Sequence, residues 1–213
     1  MADHPDTHHH DHASPAEHGA PDAEIALMET ALRELLIEKG IFSATDLQRA
    51  IETMEARGPT RGAEIVARAW IDPPFRDALF HHANSAVAQF GVNMGLAELV
   101  ALENTADCHN LVVCTLCSCY PRALLGIPPS WYKTRAYRAR AVREPRAVLA
   151  EFGFVLSADM RIRVHDSTAD LRFIVVPQRP AGTEGWSEQQ LTRLVTRDSL
   201  IGVATALDPA EVA

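Results

Sequence analysis

Four cysteines carry the most informative chemistry of this 213-residue chain, and they lie close together at Cys108, Cys114, Cys117 and Cys119. A disulfide framework spreads its cysteines along a chain, and cysteines one or two residues apart reach disulfide geometry only by distorting the backbone. In a reducing compartment such a cluster more often binds a metal or carries redox chemistry. The cluster therefore predicts a metal or redox site.

The C-x-x-C-x-C spacing of Cys114, Cys117 and Cys119 helps to distinguish between the possible kinds of metal or redox site. Structural zinc sites usually pair two distant C-x-x-C motifs, or one such motif with histidines, and this sequence has no second C-x-x-C. A thioredoxin-like site has no use for a third cysteine, and a cubane iron–sulfur cluster needs four cysteinates, usually with wider spacing. A closed zinc site that adds Cys108, with His109 next to it, remains an alternative.

The tripeptide Cys117-Ser118-Cys119 offers a planar set of donors. If the amide nitrogens of Ser118 and Cys119 lose their protons, these nitrogens and the two thiolates close fused chelate rings around one metal ion. Cys114 can supply an axial sulfur, which leaves the sixth position open to water or substrate. Amidate and thiolate donors suit a trivalent, low-spin metal that acts as a Lewis acid.

The segment 113–120, Val-Cys-Thr-Leu-Cys-Ser-Cys-Tyr, resembles the metal-binding segment of the nitrile hydratase α subunit. A similar segment occurs in the related γ subunit of thiocyanate hydrolase. The resemblance is strong from about residue 60 to residue 203, weaker over the N-terminal helices and absent from the N-terminal tail. Further segments that share it are 125–133, 142–146, Asp166-Ser167, Arg172-Phe173, 177–186 and 201–203.

The resemblance implies a role for each residue of the loop. Cys114 is expected to be the axial thiolate, and Ser118 and Cys119 are expected to bind through their backbone nitrogens. Cys117 and Cys119 are the expected equatorial ligands and catalytic residues, oxidised to sulfinate and sulfenate respectively. Thr115 and Tyr120 mark the cobalt form of the family, so we expect one Co(III) per chain rather than Fe(III). Supporting roles around the ligands fall to Thr115, Tyr120, Asp166, Asp170 and Arg172, with Asp166 and Arg172 as an ion pair.

The implied reaction is the hydration of a nitrile to an amide. In it the metal polarises the nitrile or activates water, and the sulfenate oxygen of Cys119 acts as nucleophile or base. Arginines that face the oxidised sulfurs are expected from a partner β subunit, so the isolated chain should be inactive. The implied partners are this β subunit in a heterodimer or heterotetramer, a metallochaperone during maturation, and a small nitrile or thiocyanate as substrate.

Two parts of the sequence favour different members of the family. Arg122 follows Tyr-Pro at a position where cobalt nitrile hydratases usually have tryptophan. An arginine there is more typical of the thiocyanate hydrolase γ subunit. The segments 143–146 and 177–182 favour nitrile hydratase. The alternative function is therefore hydrolysis of thiocyanate to carbonyl sulfide and ammonia. A remote alternative is a non-catalytic zinc module for assembly that uses all four cysteines.

Hydrophobic periodicity predicts an α+β fold, in which a helical N-terminal arm precedes a layered α-β-β-α core. Three segments are expected: a disordered His-rich tail at 1–21, a helical region at 22–91 and a metal-binding catalytic core at 92–213. The predicted helices cover 22–40, 43–54, 62–71, 72–90, 130–140, 144–152 and 187–194, and the predicted strands cover 111–113, 161–165 and 171–176.

Charge and hydropathy exclude other classes of protein. The chain has 20 Lys and Arg against 28 Asp and Glu, a net charge of −8 that argues against a general nucleic-acid binder. No apolar run approaches the roughly 18 residues of a membrane span, and the N-terminus lacks the pattern of a secretory signal. We expect a cytoplasmic protein that binds neither nucleic acid nor membrane.

Overall fold

A computed structural model of the chain describes residues 23–55 and 58–212. The predicted His-rich tail lies outside the described residues, and the division at residue 91 stays a prediction. The helices are α1 (Ala23–Glu38), α2 (Ala44–Glu55), α3 (Thr60–Ile71), α4 (Pro73–His81), α5 (Ala83–Ala88), α6 (Arg122–Leu125), α7 (Ser130–Lys133), α8 (Arg135–Arg143), α9 (Pro145–Glu151), α10 (Glu188–Thr192) and α11 (Arg197–Ile201). The strands are β1 (Glu98–Glu103), β2 (Cys108–Val113), β3 (Arg161–Asp166) and β4 (Leu171–Val176).

The first three predicted helices are present with small shifts at their ends, but the single helix predicted for 72–90 is wrong. It begins as predicted, since Asp72 caps α4 by accepting a hydrogen bond from the Phe75 amide. The chain then leaves helical geometry at His82, with φ −142° and ψ 54°, and resumes as α5. The break lets Leu79 of α4 and Val87 of α5 both reach the core.

The strands form two parallel pairs, β1 with β4 and β2 with β3. Parallel neighbours need long crossover connections, and helices α6 to α9 lie between β2 and β3 in the chain. The three predicted strands are confirmed, and β2 starts earlier than predicted, at Cys108. The sequence analysis missed β1, because its Glu-Leu-Val-Ala-Leu-Glu sequence is rich in helix formers. The mixed helix and strand fold confirms the predicted α+β class.

The core surrounds β2, whose six residues are all buried. Helices α8 and α11 contact it, and Ile65 and Val66 of α3 belong to the same core. Tyr137 of α8 is completely buried beside β2, and Tyr132 of α7 is completely buried against Tyr137. Helix α1 contributes no buried residue. No helix in the described part of the chain is long and apolar enough to cross a membrane.

Candidate metal centre

The cysteine loop begins where β2 ends, at Val113, and the parallel pairing places the end of β3 beside it. Asp166 is the register partner of Val113, and its carboxylate therefore faces the first residues of the loop. The Thr115 amide donates a hydrogen bond to Asp166 Oδ1 at 2.9 Å, and the Thr115 hydroxyl donates to Oδ2 at 2.6 Å. The Ser167 amide donates to the Val113 carbonyl at 2.7 Å. The end of β3 thus fixes the entry to the loop.

Three sulfur atoms converge in this loop. Cys114 Sγ lies 3.5 Å from Cys117 Sγ, which lies 3.2 Å from Cys119 Sγ. All three lie within 4.8 Å of one another, which suits ligands of one metal ion. The Cys117 amide donates to Cys114 Sγ at 3.4 Å, so the backbone of the loop curls around the Cys114 sulfur. Cys114 is buried, Cys119 is half-buried and Cys117 is exposed, so the cluster opens to one side.

The thiols of this cluster differ in acidity. Hydrogen bonds from the Cys119 thiol and from the Ser118 backbone lower the pKa of Cys117 to about 7. Burial raises the pKa of Cys119 to about 12, although the nearby charge of Arg172 opposes this rise. Cys117 is therefore the more acidic of the two thiols. Its thiolate accepts a hydrogen bond from the Cys119 thiol, which stays protonated. A bound metal would deprotonate the coordinating thiols.

Helices α7 and α8 hold the loop from behind through its carbonyl oxygens. The Tyr137 hydroxyl donates to the Val112 carbonyl at 2.6 Å, and the Tyr132 hydroxyl donates to the Cys119 carbonyl at 2.9 Å. Burial raises the pKa of both tyrosines well above the usual range, so both remain neutral donors. Arg138 donates from Nη1 to the carbonyl of Leu116 at 3.1 Å and to that of Thr115 at 3.5 Å.

Tyr120, expected to support the metal loop, is buried immediately after it. Its ring packs edge-on against Tyr132, with 5.0 Å between the ring centroids. Its hydroxyl has no hydrogen-bond partner within the part of the chain that the structure describes, and burial raises its pKa. The side chain thus fills the space between the loop and α7.

Of the other two residues expected to support the loop, Arg172 lies beside the loop, whereas the hydrogen bonds of Asp170 come from its backbone. Arg172 lines the cavity beside the loop and donates to the carbonyls of Thr168 and Ala169. Among the described residues no ion pair joins Arg172 to Asp166, whose oxygens are taken by Thr115. The hydrogen bonds described for Asp170 involve its backbone, with its amide on Thr168 Oγ1 and its carbonyl on the Glu98 amide.

A cavity of about 530 Å³ opens onto the cysteines. Arg122 and Arg172 line it together with residues 117–119, and the segment before β1 contributes Asn93 and Met94. The sequence analysis missed Asn93 and Met94 in this cavity wall, and it missed the anchors Tyr132, Tyr137 and Arg138. These residues lie outside the cysteine motif, and no local sequence pattern indicates that they contact it. A larger cavity, of about 810 Å³, lies at the other end of β2 near His109 and contains no cysteine.

Cys108 lies at the start of β2, five residues before the loop, and is buried there. At about 3.3 Å per strand residue, this places it on the order of 16 Å or more from the loop. Within the described residues it is not part of the sulfur cluster. A zinc site built on all four cysteines therefore does not form in this fold.

The fold and the loop define a mixed helix-and-strand protein with a metal-binding cysteine cluster at the end of a parallel strand pair. The chain belongs to the nitrile hydratase alpha-chain family, whose model matches residues 23–204. This confirms the resemblance seen in the sequence, and with it a hydro-lyase family.

Relatives of both predicted types are similar to the chain. It is 53% identical over 190 residues to the low-molecular weight cobalt-containing nitrile hydratase subunit alpha of Rhodococcus rhodochrous, covering 88% of this chain and 92% of the relative. It is 45% identical over 194 residues to the thiocyanate hydrolase subunit gamma of Thiobacillus thioparus, covering 85% and 80%. The structure of a double mutant of the Fe-type nitrile hydratase from Comamonas testosteroni Ni1 superposes with a TM-score of 0.83 at 40% identity, covering 89% and 94%. Since these relatives are subunits, a partner subunit is implied for this chain.

Proposed function

We propose that this chain is the metal-bearing subunit of a cobalt nitrile hydratase, which holds one Co(III) and hydrates a small nitrile to its amide. The observation that carries the proposal is the convergence of three sulfurs within 4.8 Å around the tripeptide at 117–119. In this assignment Cys114, Cys117 and Cys119 would hold the metal through their sulfur atoms, and Ser118 and Cys119 would also bind it through their backbone nitrogens.

The chemistry divides between the metal and the chain. Bound cobalt supplies a Lewis acid that polarises the nitrile or acidifies water. Cys119, oxidised to the sulfenate, presents an oxygen at the floor of the cavity that takes a proton from water or attacks the nitrile carbon. Cys117, as the sulfinate, adds fixed negative charge that Arg172 on the cavity wall partly balances. Asp166 keeps Thr115, and with it the start of the loop, in one position.

The open side of the cluster supports a role for the partner in completing the site. Cys117 is exposed, and Leu116 at the tip of the loop is 88% exposed. We propose that a β subunit covers this side and supplies further arginines, that a metallochaperone loads the metal before closure, and that the protein works in the cytoplasm. The isolated chain should then be inactive.

Arg122 favours a second candidate function, that of a thiocyanate hydrolase γ subunit. Its side chain is exposed and lines the cavity beside the cysteines, where a guanidinium would attract an anionic substrate. Nitrile hydratases of the cobalt type usually place tryptophan there. The two candidates share the metal site and differ in the charge of the substrate that the cavity accepts.

The test is to express the chain with the partner encoded beside its gene, in medium containing cobalt, and to assay hydration of neutral nitriles and hydrolysis of thiocyanate. Nitrile hydration supports the proposal, whereas turnover of thiocyanate alone would assign the second function. In the latter case Arg122→Trp should lower kcat/KM for thiocyanate.

Two cysteine variants complete this test. Cys114→Ala should abolish activity and cobalt binding, while Cys108→Ala, at the far end of β2, should keep both. Loss of metal in both variants alike, or an assembled protein that turns over neither substrate, would contradict the proposal.

A further inference from the structure

The metal loop is anchored at three levels by one helical unit, α7 and α8. Tyr137 binds the carbonyl before the loop at Val112, and Tyr132 binds the carbonyl at its end at Cys119. Arg138 binds the carbonyls at Thr115 and Leu116, which lie between the first two cysteines. The two tyrosines are neutral and buried, so Arg138 is the one of these three anchors that carries a positive charge.

The charge of Arg138 is not neutralised by an acid. Its described hydrogen bonds all go to backbone carbonyls, namely those of Thr134, Thr115 and Leu116. Two residues further along the same helix, Arg140 is bound by the carboxylates of Glu144 and Glu151. Within the described residues Arg138 has no such ion pair, so its full positive charge remains directed at the loop.

A positive charge beside the cysteine loop would offset the negative charge that the loop carries when it binds a metal. A loop that gathers three thiolates and two deprotonated amides concentrates negative charge that one trivalent metal does not neutralise. A charge-assisted hydrogen bond is roughly twice as strong as a neutral one. A guanidinium that holds two successive carbonyls also fixes the turn that lets the Cys117 amide reach Cys114 Sγ at 3.4 Å.

We propose that Arg138 is a positioning residue of the metal centre, whose clamp on the carbonyls of Thr115 and Leu116 determines how tightly the cysteine loop retains its metal. It acts through the backbone of the loop and does not touch the substrate. The inference rests on the proposed function, because it takes cobalt as the metal that the loop retains.

The experiment compares the assembled wild-type protein with three variants, all produced with the partner subunit in cobalt medium. Arg138→Gln removes the charge, and Arg138→Lys keeps the charge but loses the guanidinium, whose Nε bond to the Thr134 carbonyl orients Nη1 toward the loop. Arg143→Gln is the matched control, because Arg143 lies exposed on the same helix and, among the described residues, its Nε donates only to the Ala139 carbonyl, at 3.3 Å. Each protein is challenged with a strong chelator, and retained cobalt is measured against time.

We expect Arg138→Gln to lose cobalt about tenfold to 100-fold faster than wild type, as is usual for residues that support metal ligands. Arg138→Lys should fall between the two, and Arg143→Gln should match wild type. The mass of the tryptic peptide at 77–122 gives a second readout, since a misplaced loop should carry fewer added oxygens in Arg138→Gln. Thermal unfolding of each variant checks that it is folded.

Each outcome decides a different point. Retention of cobalt by Arg138→Gln at the wild-type rate, or an equal loss in Arg143→Gln, would overturn the role of Arg138 while leaving the proposed function intact. Should Arg138→Gln fail to fold, wild-type retention by Arg138→Lys would show that the guanidinium and the orientation of its Nη1 are dispensable, and would overturn the clamp. A wild-type assembly that contains no cobalt would overturn the proposed function and this inference together.

Discussion

Asp166 connects the end of β3 to the metal loop through a single carboxylate. One oxygen accepts the Thr115 amide and the other accepts the Thr115 hydroxyl, at 2.9 and 2.6 Å. In Asp166→Asn the amide oxygen can still accept from the Thr115 amide, but the bond to the Thr115 hydroxyl must reverse its direction and the negative charge that strengthens both bonds is lost, so the loop entry loosens. We expect the assembled variant to bind cobalt about tenfold to 100-fold more weakly, measured by competition with a chelator.

The control for this prediction is Asp107→Asn. Asp107 forms a surface ion pair with Arg161, at 3.1 Å, at the opposite end of the β2–β3 pair. Removal of that pair should leave cobalt binding unchanged, because exposed ion pairs contribute little. Equal cobalt affinity in Asp166→Asn and wild type would show that Thr115 needs no support from β3.

His109 provides a pH dependence that is independent of the metal. Its ring is buried, Nε2 donates to the Gly202 carbonyl at 2.7 Å, and Nδ1 accepts from Asn104 at 3.1 Å. Burial lowers the pKa of His109 from 6.5. The folded chain therefore holds a neutral ring where the unfolded chain binds a proton, so stability falls as the pH falls below about 6.5.

The measurement is the free energy of unfolding of the isolated chain between pH 5 and pH 7.5. One proton contributes a slope of at most about 1.4 kcal/mol per pH unit. The variant His109→Gln should be less stable at neutral pH but show a shallower slope below pH 6.5. Identical slopes in wild type and variant would assign the acid sensitivity to other groups.

At the scale of elements, Gly202 joins the C-terminus of α11 to β2. It has φ +88°, and a Cβ added there would lie 2.0 Å from the Asn110 carbonyl oxygen of β2. Gly202→Ala must therefore push the helix away from the strand that leads into the metal loop. We expect a loss in the free energy of unfolding well above the roughly 1–2 kcal/mol that a left-handed conformation costs alanine.

Gly153 supplies the matched control, because it has φ +79° and nothing lies within 4 Å of an added Cβ. Denaturant unfolding of Gly153→Ala should show only the conformational cost. If both variants lost the same stability, the close approach of α11 to β2 would carry no energetic weight.

Elements with strong local signals were predictable, while those that depend on tertiary packing were not. The late helix α10 follows from the Ser187 cap, and β4 follows from its run of β-branched residues before Pro177. No Gly or Pro next to His82 indicates in the sequence that the helix breaks there. Strand β1 has a helical composition and becomes a strand only because β4 pairs along its whole length.

The same distinction holds for the site. The sulfur ligands lie within six consecutive residues, so the motif states the donor set directly. Only the resemblance pointed to Asp166 in advance, and the parallel register of β2 and β3 that brings it to the loop was not predicted. Tyr132, Tyr137 and Arg138 reach it from α7 and α8, and although Tyr132 lies in a segment that shares the resemblance, no local pattern shows that these side chains bind the loop, so only the three-dimensional structure reveals it.

At the scale of the whole molecule, α1 carries an apolar face that none of the described residues covers. Leu27, Met28 and Leu32 are 71%, 57% and 57% exposed. Because this family works as assembled subunits, we predict that the partner subunit covers this face. The double variant Met28→Lys with Leu32→Lys should change the stability of the isolated chain by less than about 0.5 kcal/mol. It should weaken assembly, measured by sedimentation of the mixed subunits.

The control is Glu34→Gln, an exposed polar position on the same helix. It should assemble as wild type does. A doubly substituted α1 that assembles with unchanged affinity would show that this helix lies outside the interface.

The proposed function requires the loop at 114–119 to be an oxidised cobalt centre. The most direct test is to purify the assembly from cobalt medium and to measure its metal content and the mass of the tryptic peptide at 77–122. We expect about one cobalt per chain and a peptide heavier by three oxygen atoms, two on Cys117 and one on Cys119. Zinc or no metal, with all cysteines of this peptide unmodified in the presence of cobalt and partner, would contradict it.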